Sequence, residues 1–198
     1  MFSDITGIIL AGGKSTRMGV NKSFLKIGDE TIIERIFLLM NSIFNKVIII
    51  TNTPEEYVSL GVPVFKDIYV GKGPMGGIHS GLTHSSTEKN FVISCDVPLM
   101  TREMIEYIIE YKSDKPVKYC EAAGYHQPMA GYYTKAILNE LETVITSSDK
   151  NIEKPFHNFL KEINSEIIHP QEKSFYKDEI FFNMNGPKDY EWLIANYS

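Results

Sequence analysis

Cysteine is scarce in this chain. Its 198 residues hold two, Cys95 and Cys120, with no CxxC pair and no histidine beside them at ligand spacing. That excludes a disulfide-stapled scaffold and reads as free thiols in a reducing cytoplasm. Long apolar runs are missing too: stretches such as Val47–Ile50 fall far below the ~20 residues needed to cross a bilayer. Positive charge is in deficit, with 20 Lys+Arg against 25 Asp+Glu and a net charge of −5. The chain therefore lacks the basic footprint of a nucleic-acid binder, and neither nucleic acid nor membrane is expected as a partner. An anionic substrate has to be held by a local cluster of cations, because the global field does not attract it. Met1-Phe2-Ser3-Asp4 opens with an acid, and Ile8-Ile9-Leu10-Ala11 stops at two glycines, which is not the layout of a secretory leader. The five histidines, His79, His84, His126, His157 and His169, form no ligand set. They read as surface or hydrogen-bonded side chains, and no Ser-His-Asp or Cys-His order can be argued.

What is present is an alternation of short β-branched runs with longer segments of helical period. Gly7–Leu10, Val47–Ile50, Pro63–Lys66 and Phe91–Ser94 read as buried strands. Thr31–Met40 reads as an amphipathic helix through Ile32, Ile33, Ile36, Phe37 and Met40. Further helices are expected over Gly76–His84, after Thr101 (Met104, Ile105, Ile108, Ile109), over Ile137–Ile145, and through Ile152, Phe156, Phe159, Leu160 and Ile163. Val117–Ala123 and Met129–Tyr133 can pair around Gly124. Gln171–Glu179 reads as an exposed loop, Phe181–Asn185 as a short strand, and Pro187 as the opening of a terminal helix. The pattern predicts an α/β fold with a mostly parallel sheet covered by helices. No repeat and no Pro-, Gly- or Ser-rich linker divides it, so residues 1–198 are expected to form one domain. A chain of this length buries roughly 70% of its unfolded surface.

Strand one runs into Ala11-Gly12-Gly13, where paired glycines allow a tight turn and close backbone approach. Lys14, Arg17 and Lys22 place three cations within nine residues of one another, a place for a polyphosphate. Gly13-Lys14-Ser15 mimics the end of a P-loop, but position 8 is Ile8 where that motif needs glycine. Gly71-Lys72-Gly73-Pro74-Met75-Gly76 matches the dinucleotide fingerprint G-x-G-x-x-G. It starts several residues after its strand, and Pro74 removes a backbone donor, which argues against a dehydrogenase. Asp96 follows Phe91–Ser94, at a strand end of the kind that faces the ligand crevice of parallel sheets. It suits a hard cation that bridges to phosphate. An Asx-turn is the structural alternative. Asp67 ends its strand in the same way and can accept a hydrogen bond from a base or a ribose.

Together these residues resemble the molybdenum cofactor guanylyltransferase family, the MobA-type enzymes of the nucleotidyltransferase superfamily. Leu10-Ala11-Gly12-Gly13, Ser15, Arg17-Met18-Gly19 and Lys22 match its opening signature. Gly73-Pro74-Met75-Gly76-Gly77 is similar to its Gly-Pro-Leu-Ala-Gly segment, Cys95-Asp96-Val97-Pro98 to its Cys-Asp-x-Pro, and Asn183-Met184-Asn185-Gly186-Pro187 to its terminal Asn-x-Asn-Thr-Pro. The resemblance implies a Rossmann-like sheet with helices on both faces, in a single nucleotidyltransferase domain. It implies transfer of GMP from GTP to molybdopterin (the molybdenum cofactor), with release of pyrophosphate and Mg²⁺ as cofactor. By the same resemblance Leu10, Ala11 and Gly12 contact the nucleotide through backbone groups, Gly13 and Arg17 belong to the phosphate loop, Lys22 contacts phosphates, and Asn52 and Asp67 help bind the nucleotide. Asp96 holds the metal, Arg17, Lys22 and Asp96 carry the catalysis, and Asn183 and Asn185 face the acceptor. Cofactor-delivery or acceptor proteins are the implied partners. Gly186 and Lys188 depart from the family's usual Thr and acid.

The chemistry asks little of acid–base groups. A phosphate monoester has its second pKa near 6, so the attacking phosphate is already largely ionised. Positioning and charge neutralisation remain as the main work. Two other readings stay open on the sequence alone: a relative that uses CTP or a sugar or isoprenoid phosphate acceptor, and a non-catalytic nucleotide-binding module.

Overall fold

In a computed structural model, which describes residues 1–12, 21–149 and 154–197, the chain starts with strand β1 (Phe2–Leu10). A small antiparallel pair, β2 (Lys26–Ile27) and β3 (Glu30–Thr31), leads into helix α1 (Ile32–Ile43). Thr31 and Glu34 form a reciprocal cap: Thr31 N–H donates to Glu34 Oε2 at 2.8 Å, and Glu34 N–H donates to Thr31 Oγ1 at 3.3 Å. Two orphan donors of the first turn are satisfied in this way. Strands β4 (Phe44–Ile50) and β5 (Val64–Phe65) follow, then α2 (Gly73–His84), β6 (Lys89–Ser94) and α3 (Arg102–Glu110). The later half comprises β7 (Val117–Ala122), β8 (Tyr125–Thr134), α4 (Leu138–Thr146), α5 (Phe156–Glu162), β9 (Glu166–Ile168) and α6 (Pro187–Tyr197).

One seven-stranded sheet has the order β5-β4-β1-β6-β8-β7-β9. β5, β4, β1 and β6 run parallel; β8 is antiparallel to both β6 and β7, and β9 is parallel to β7. Side-chain alternation sorts the core into two layers. Ile9, Ile49, Phe91 and Ile93 face α1 and α3 through Ile33, Ile36, Met40, Ile105 and Ile108. Ile8, Leu10, Ile48, Ile50 and Val92 face α2, α4 and α5 through Ile78, Leu82, Leu141, Val144 and Phe159. Helices therefore cover both faces, as expected. α2 lies close enough that a Cβ on Gly81 would stand 2.6 Å from Ile8 Cγ2, so only glycine fits at that crossing. Among the described residues no helix is long and apolar enough to cross a membrane.

Several boundaries move. α1 continues past Met40 to Ile43, and α2 starts at Gly73, three residues before Gly76. β5 is shorter than Pro63–Lys66. Ile152 lies outside the described residues. The expected strand Phe181–Asn185 is not one. Asp178–Phe181 is a 3-10 turn, and the extended residues after it bond elsewhere. Met184 N–H donates to Asp96 O at 2.9 Å and Asn185 N–H to Asp189 Oδ2 at 2.7 Å. Ile180, Phe181 and Met184 are buried, Phe182 is partly buried, and Asn183 and Asn185 are exposed, so the apolar run reported burial and not a ladder. β9 carried too short a pattern to be read.

β7 holds a buried lysine. Lys118 is 4% exposed, and its Nζ donates to Ile109 O at 2.6 Å and Tyr111 O at 3.0 Å at the end of α3. Burial first, and the charge of Lys89 second, bring Lys118 from 10.5 down to about 8. A neutral amine still has two N–H donors for the two carbonyls. The unfolded chain keeps this proton up to its ordinary value while the folded chain sheds it near 8, so this group stabilises the fold as pH rises between those values. Lys118→Met is expected to destabilise by roughly 1–3 kcal/mol by orphaning the carbonyls. In urea unfolding its stability deficit is expected to be larger at pH 10 than at pH 7; a deficit that shrinks with pH contradicts the lowered value.

Candidate active site

The chain passes from β1 through α1 to β4 on one side and reaches β6 through α2 on the other, with the two helices on opposite faces. The carboxyl end of β1 is thus a topological switch point, where such sheets open a crevice. A cavity of about 1010 Å³ lies there. Leu10, Ala11 and Gly12 line it from the end of β1, Thr51 and Asn52 from beyond β4, Asp67 from beyond β5, and Ser94 and Asp96 from the end of β6. The strand-end residues singled out in the sequence are brought together by parallel register: Leu10 is level with both Ile50 and Ser94.

Lys22 and Asp96, 74 positions apart, form the charged centre. Lys22 Nζ donates to Asp96 Oδ1 at 2.8 Å and to Met184 O at 3.0 Å. Lys22 is aimed by a 3-10 turn, Lys22–Phe24, whose first N–H groups need an acceptor. Asn21 provides it, accepting from Ser23 N–H through Oδ1 at 3.1 Å. The Asp96 main chain is fixed on two sides, by Asp96 N–H donating to Ser94 Oγ at 3.3 Å and by Met184 N–H donating to Asp96 O. Neighbouring Cys95 is a free, buried thiol that burial pushes up to about 12. Cys120 is likewise free and buried. Neither is a nucleophile at neutral pH.

Asn52 and Asp67 meet on the opposite wall, where Asn52 Nδ2 donates to Asp67 Oδ2 at 2.9 Å. The Ala11 backbone is partly engaged: its N–H donates to Ile50 O at 2.9 Å and its carbonyl accepts from Tyr57 Oη at 3.1 Å. A carbonyl has a second lone pair, so Ala11 can still accept from a ligand, but it has no N–H to offer. Gly12, exposed beside it, is where the backbone leaves the sheet. Gly13 and Arg17 lie outside the described residues. Asn183 lines the cavity, whereas Asn185 does not; Asn185 reaches Asn183 O through Nδ2 at 3.3 Å. Asp189 Oδ2 accepts from the N–H groups of both Asn185 and Gly186. The carboxylate side of a capping arrangement therefore persists at the start of α6, although Gly186 has no hydroxyl to return the bond.

Other contributors escaped the sequence reading. Asn21, Thr51, Thr53, Glu56 and Met129 also line the cavity. The only local signal among them was an asparagine directly before Lys22-Ser23-Phe24, a helix-cap pattern. The fingerprint glycines have a geometric cause. Gly71 and Gly73 have φ of 83° and 58°, and a Cβ on Gly76 would stand 2.9 Å from Tyr69 O. They turn the chain into α2 with Pro74 in its first turn, and Gly71, Gly73 and Pro74 line the cavity wall. No histidine lines the cavity. His79 departs from the expectation of a satisfied side chain. It is buried, its Nδ1 has no partner among the described residues, burial lowers its pKa below 6.5, and its ring packs at 5.1 Å from that of Tyr69.

Among the described residues no three His, Cys, Asp or Glu side chains cluster to hold a metal. Asp96 is instead a single hard-oxygen donor at the cavity floor, half-buried and backed by Lys22. One carboxylate with phosphate oxygens and water fits a small divalent cation bound together with a nucleotide, and does not fit a metal caged by protein alone.

Residues 7–163 match the MobA-like NTP transferase domain. Over 189 residues the chain is 35% identical to a probable molybdenum cofactor guanylyltransferase of Clostridium perfringens (strain SM101), covering 94% of each chain. Over 198 residues it is 33% identical to a protein of the same description from Carboxydothermus hydrogenoformans, covering 98% of each. Among solved structures it superposes on molybdopterin-guanine dinucleotide biosynthesis protein A of Archaeoglobus fulgidus with a TM-score of 0.80, covering 96% of this chain and 97% of that one. At 22% identity that likeness speaks for the fold alone.

Proposed function

The chain belongs to the MobA-like NTP transferase family, and from that premise we propose that it transfers GMP from GTP to molybdopterin carrying molybdenum, yielding the guanine dinucleotide form of the cofactor and pyrophosphate. We assign the work to one nucleotidyltransferase domain spanning residues 1–198. The observation that carries the reading is the Lys22–Asp96 pair at the switch point, 2.8 Å apart, whose Asp96 lines a cavity of about 1010 Å³ between Asn21 and Asn183 on the Lys22 side and Asp67 on the other. It supports a reading in which Lys22 serves as the phosphate-binding cation and Asp96 as the metal-binding carboxylate.

In this reading the backbone at Leu10, Ala11 and Gly12, together with Asn52 and Asp67, binds the nucleoside portion. The Asp67 carboxylate accepts from base or ribose donors, and Asn52 orients it through the bond at 2.9 Å. Lys22 neutralises the phosphates, and Gly13 and Arg17 are assigned to the same phosphate loop by family resemblance. A divalent metal, for which we infer Mg²⁺, would be held by Asp96 and when bound supplies charge neutralisation and polarisation at the α-phosphate. No general base is required, because the acceptor phosphate is ionised near neutrality, with a second pKa of about 6. That agrees with a cavity lined by no histidine and with thiols kept protonated by burial. The Asn183–Asn185 segment, held to Asp96 and Lys22 through the Met184 backbone, faces the acceptor. Asn183 acts there directly, and Asn185 through Asn183. The free thiols support a cytoplasmic setting, in which proteins that deliver or receive the cofactor are the expected partners.

Labelled GTP incubated with Mg²⁺ and molybdopterin is expected to give the labelled dinucleotide and stoichiometric pyrophosphate. GTP binding without pyrophosphate release would leave only a nucleotide-binding module, and preferred turnover of CTP would overturn the base assignment.

A further inference from the structure

Ala11 and Asn21 border the stretch of chain that carries Gly12, Gly13, Lys14 and Arg17, and one buried hydroxyl joins them. Tyr57, in the 3-10 turn Pro54–Leu60, is fully buried. Its Oη donates to Ala11 O at 3.1 Å and accepts from Asn21 Nδ2 at 3.1 Å. Each partner is anchored in turn. Ala11 N–H is tied into the sheet through Ile50 O. Asn21 uses Oδ1 to cap the turn that aims Lys22, and Nδ2 also donates to Glu56 Oε2 at 2.7 Å. Ser23 in that turn donates to Cys95 Sγ at 3.3 Å, next to Asp96. The end of β1 and the turn bearing Lys22 therefore meet on one phenol in a dry environment, where a polar group without partners is costly, and the same turn reaches the strand end bearing Asp96 through Ser23. We propose that the Tyr57 hydroxyl is a positioning group for nucleotidyl transfer, a clasp that sets the span between Ala11 and Asn21 and so holds Lys22 in register with the triphosphate. This rests on the guanylyl-transfer reading above for its catalytic consequence and on the geometry alone for the clasp. Burial raises the phenol above its ordinary 10.0, so the hydroxyl keeps the proton it donates to Ala11.

Tyr57→Phe retains the ring, which packs at 5.0 Å from that of Phe24, and removes only the oxygen. Asn21→Ser keeps an oxygen able to cap Ser23 N–H but too short to reach Tyr57. Three measurements on both variants and their double decide the matter: amide hydrogen exchange over the turn at residues 21–25, GTP affinity by calorimetry, and kcat and KM for dinucleotide formation. Thermal melting serves as the control. Tyr57→Phe is expected to speed exchange over residues 21–25 and to lower kcat/KM by roughly ten- to a hundredfold, the scale of a misplacement near 1 Å, while melting within a few degrees of wild type. The double variant is expected to be no worse than the more severe single one, because both break the same link. Unchanged exchange, a kcat/KM within about twofold of wild type, or additive losses would overturn the clasp. If wild type forms no dinucleotide while Tyr57→Phe still loosens residues 21–25 and weakens GTP binding, the clasp stands and the acceptor assignment falls. If wild type transfers GMP and Tyr57→Phe changes neither exchange nor rate, the reverse holds.

Discussion

Asp96→Asn is expected to lower pyrophosphate release by at least about 10²–10³-fold, the usual cost of losing one electrostatic element at a reacting phosphate, while the protein stays folded. The substitution separates two functions of one side chain. The Asn oxygen can still accept from Lys22 Nζ, which now donates to Oδ1 at 2.8 Å. The main-chain bond from Met184 N–H to Asp96 O is untouched. What disappears is the negative charge that a hard divalent cation requires. The Lys22–Asp96 pair is half-buried, with side chains 16% and 32% exposed, so its loss costs little stability, on the order of 1 kcal/mol or less. The check is pyrophosphate release titrated with Mg²⁺, alongside a melting curve. Turnover at the wild-type rate with an unchanged Mg²⁺ dependence would remove Asp96 from the metal site.

Lys22→Met is expected to weaken GTP binding by roughly ten- to a hundredfold, the equivalent of a charge-assisted hydrogen bond worth about 1.5–3 kcal/mol. Methionine keeps the apolar stem and deletes the ammonium, so the result reports charge more than packing. The effect is expected to reach the acceptor side as well, because Lys22 Nζ also bonds Met184 O between Asn183 and Asn185. The KM for molybdopterin is therefore expected to rise together with the Kd for GTP. Calorimetry with GTP and Mg²⁺ measures the first effect and steady-state kinetics the second. Unchanged GTP affinity would take Lys22 out of the phosphate site. A shift confined to GTP would detach the Asn183–Asn185 segment from it.

Legibility in the sequence followed the range of the interactions. The buried strands Gly7–Leu10 and Phe91–Ser94 and the helix after Thr101 were readable because burial on both faces, or a period near 3.6, is a local property. Phe181–Asn185 misled for the same reason. Its apolar residues do turn inward, but the N–H groups of Met184 and Asn185 go to Asp96 and Asp189, and no stretch of sequence announces where a donor points. The glycine pattern around Gly71–Gly76 matched a cofactor fingerprint because a left-handed turn into a helix needs glycine whichever ligand follows. Tyr57 and Glu56 were invisible. They lie in a 3-10 turn between strands with no motif, and they matter only because Asn21 and Ala11 arrive beside them.

By itself the chain of residue types determined the layered α/β class, the strand-end positions of Leu10–Gly12, Asp67 and Asp96, and the placement of cations near the first turn. Each of these follows from hydrophobic period and turn chemistry, which act over a few neighbouring residues. Only the tertiary structure decided that Lys22 meets Asp96 from 74 positions away, that Asn52 supports Asp67, that Asn183 enters the cavity and Asn185 stays outside, and that Tyr57 bridges Ala11 and Asn21. Those pairings depend on strand order and register, and the sum of long-range packing sets them.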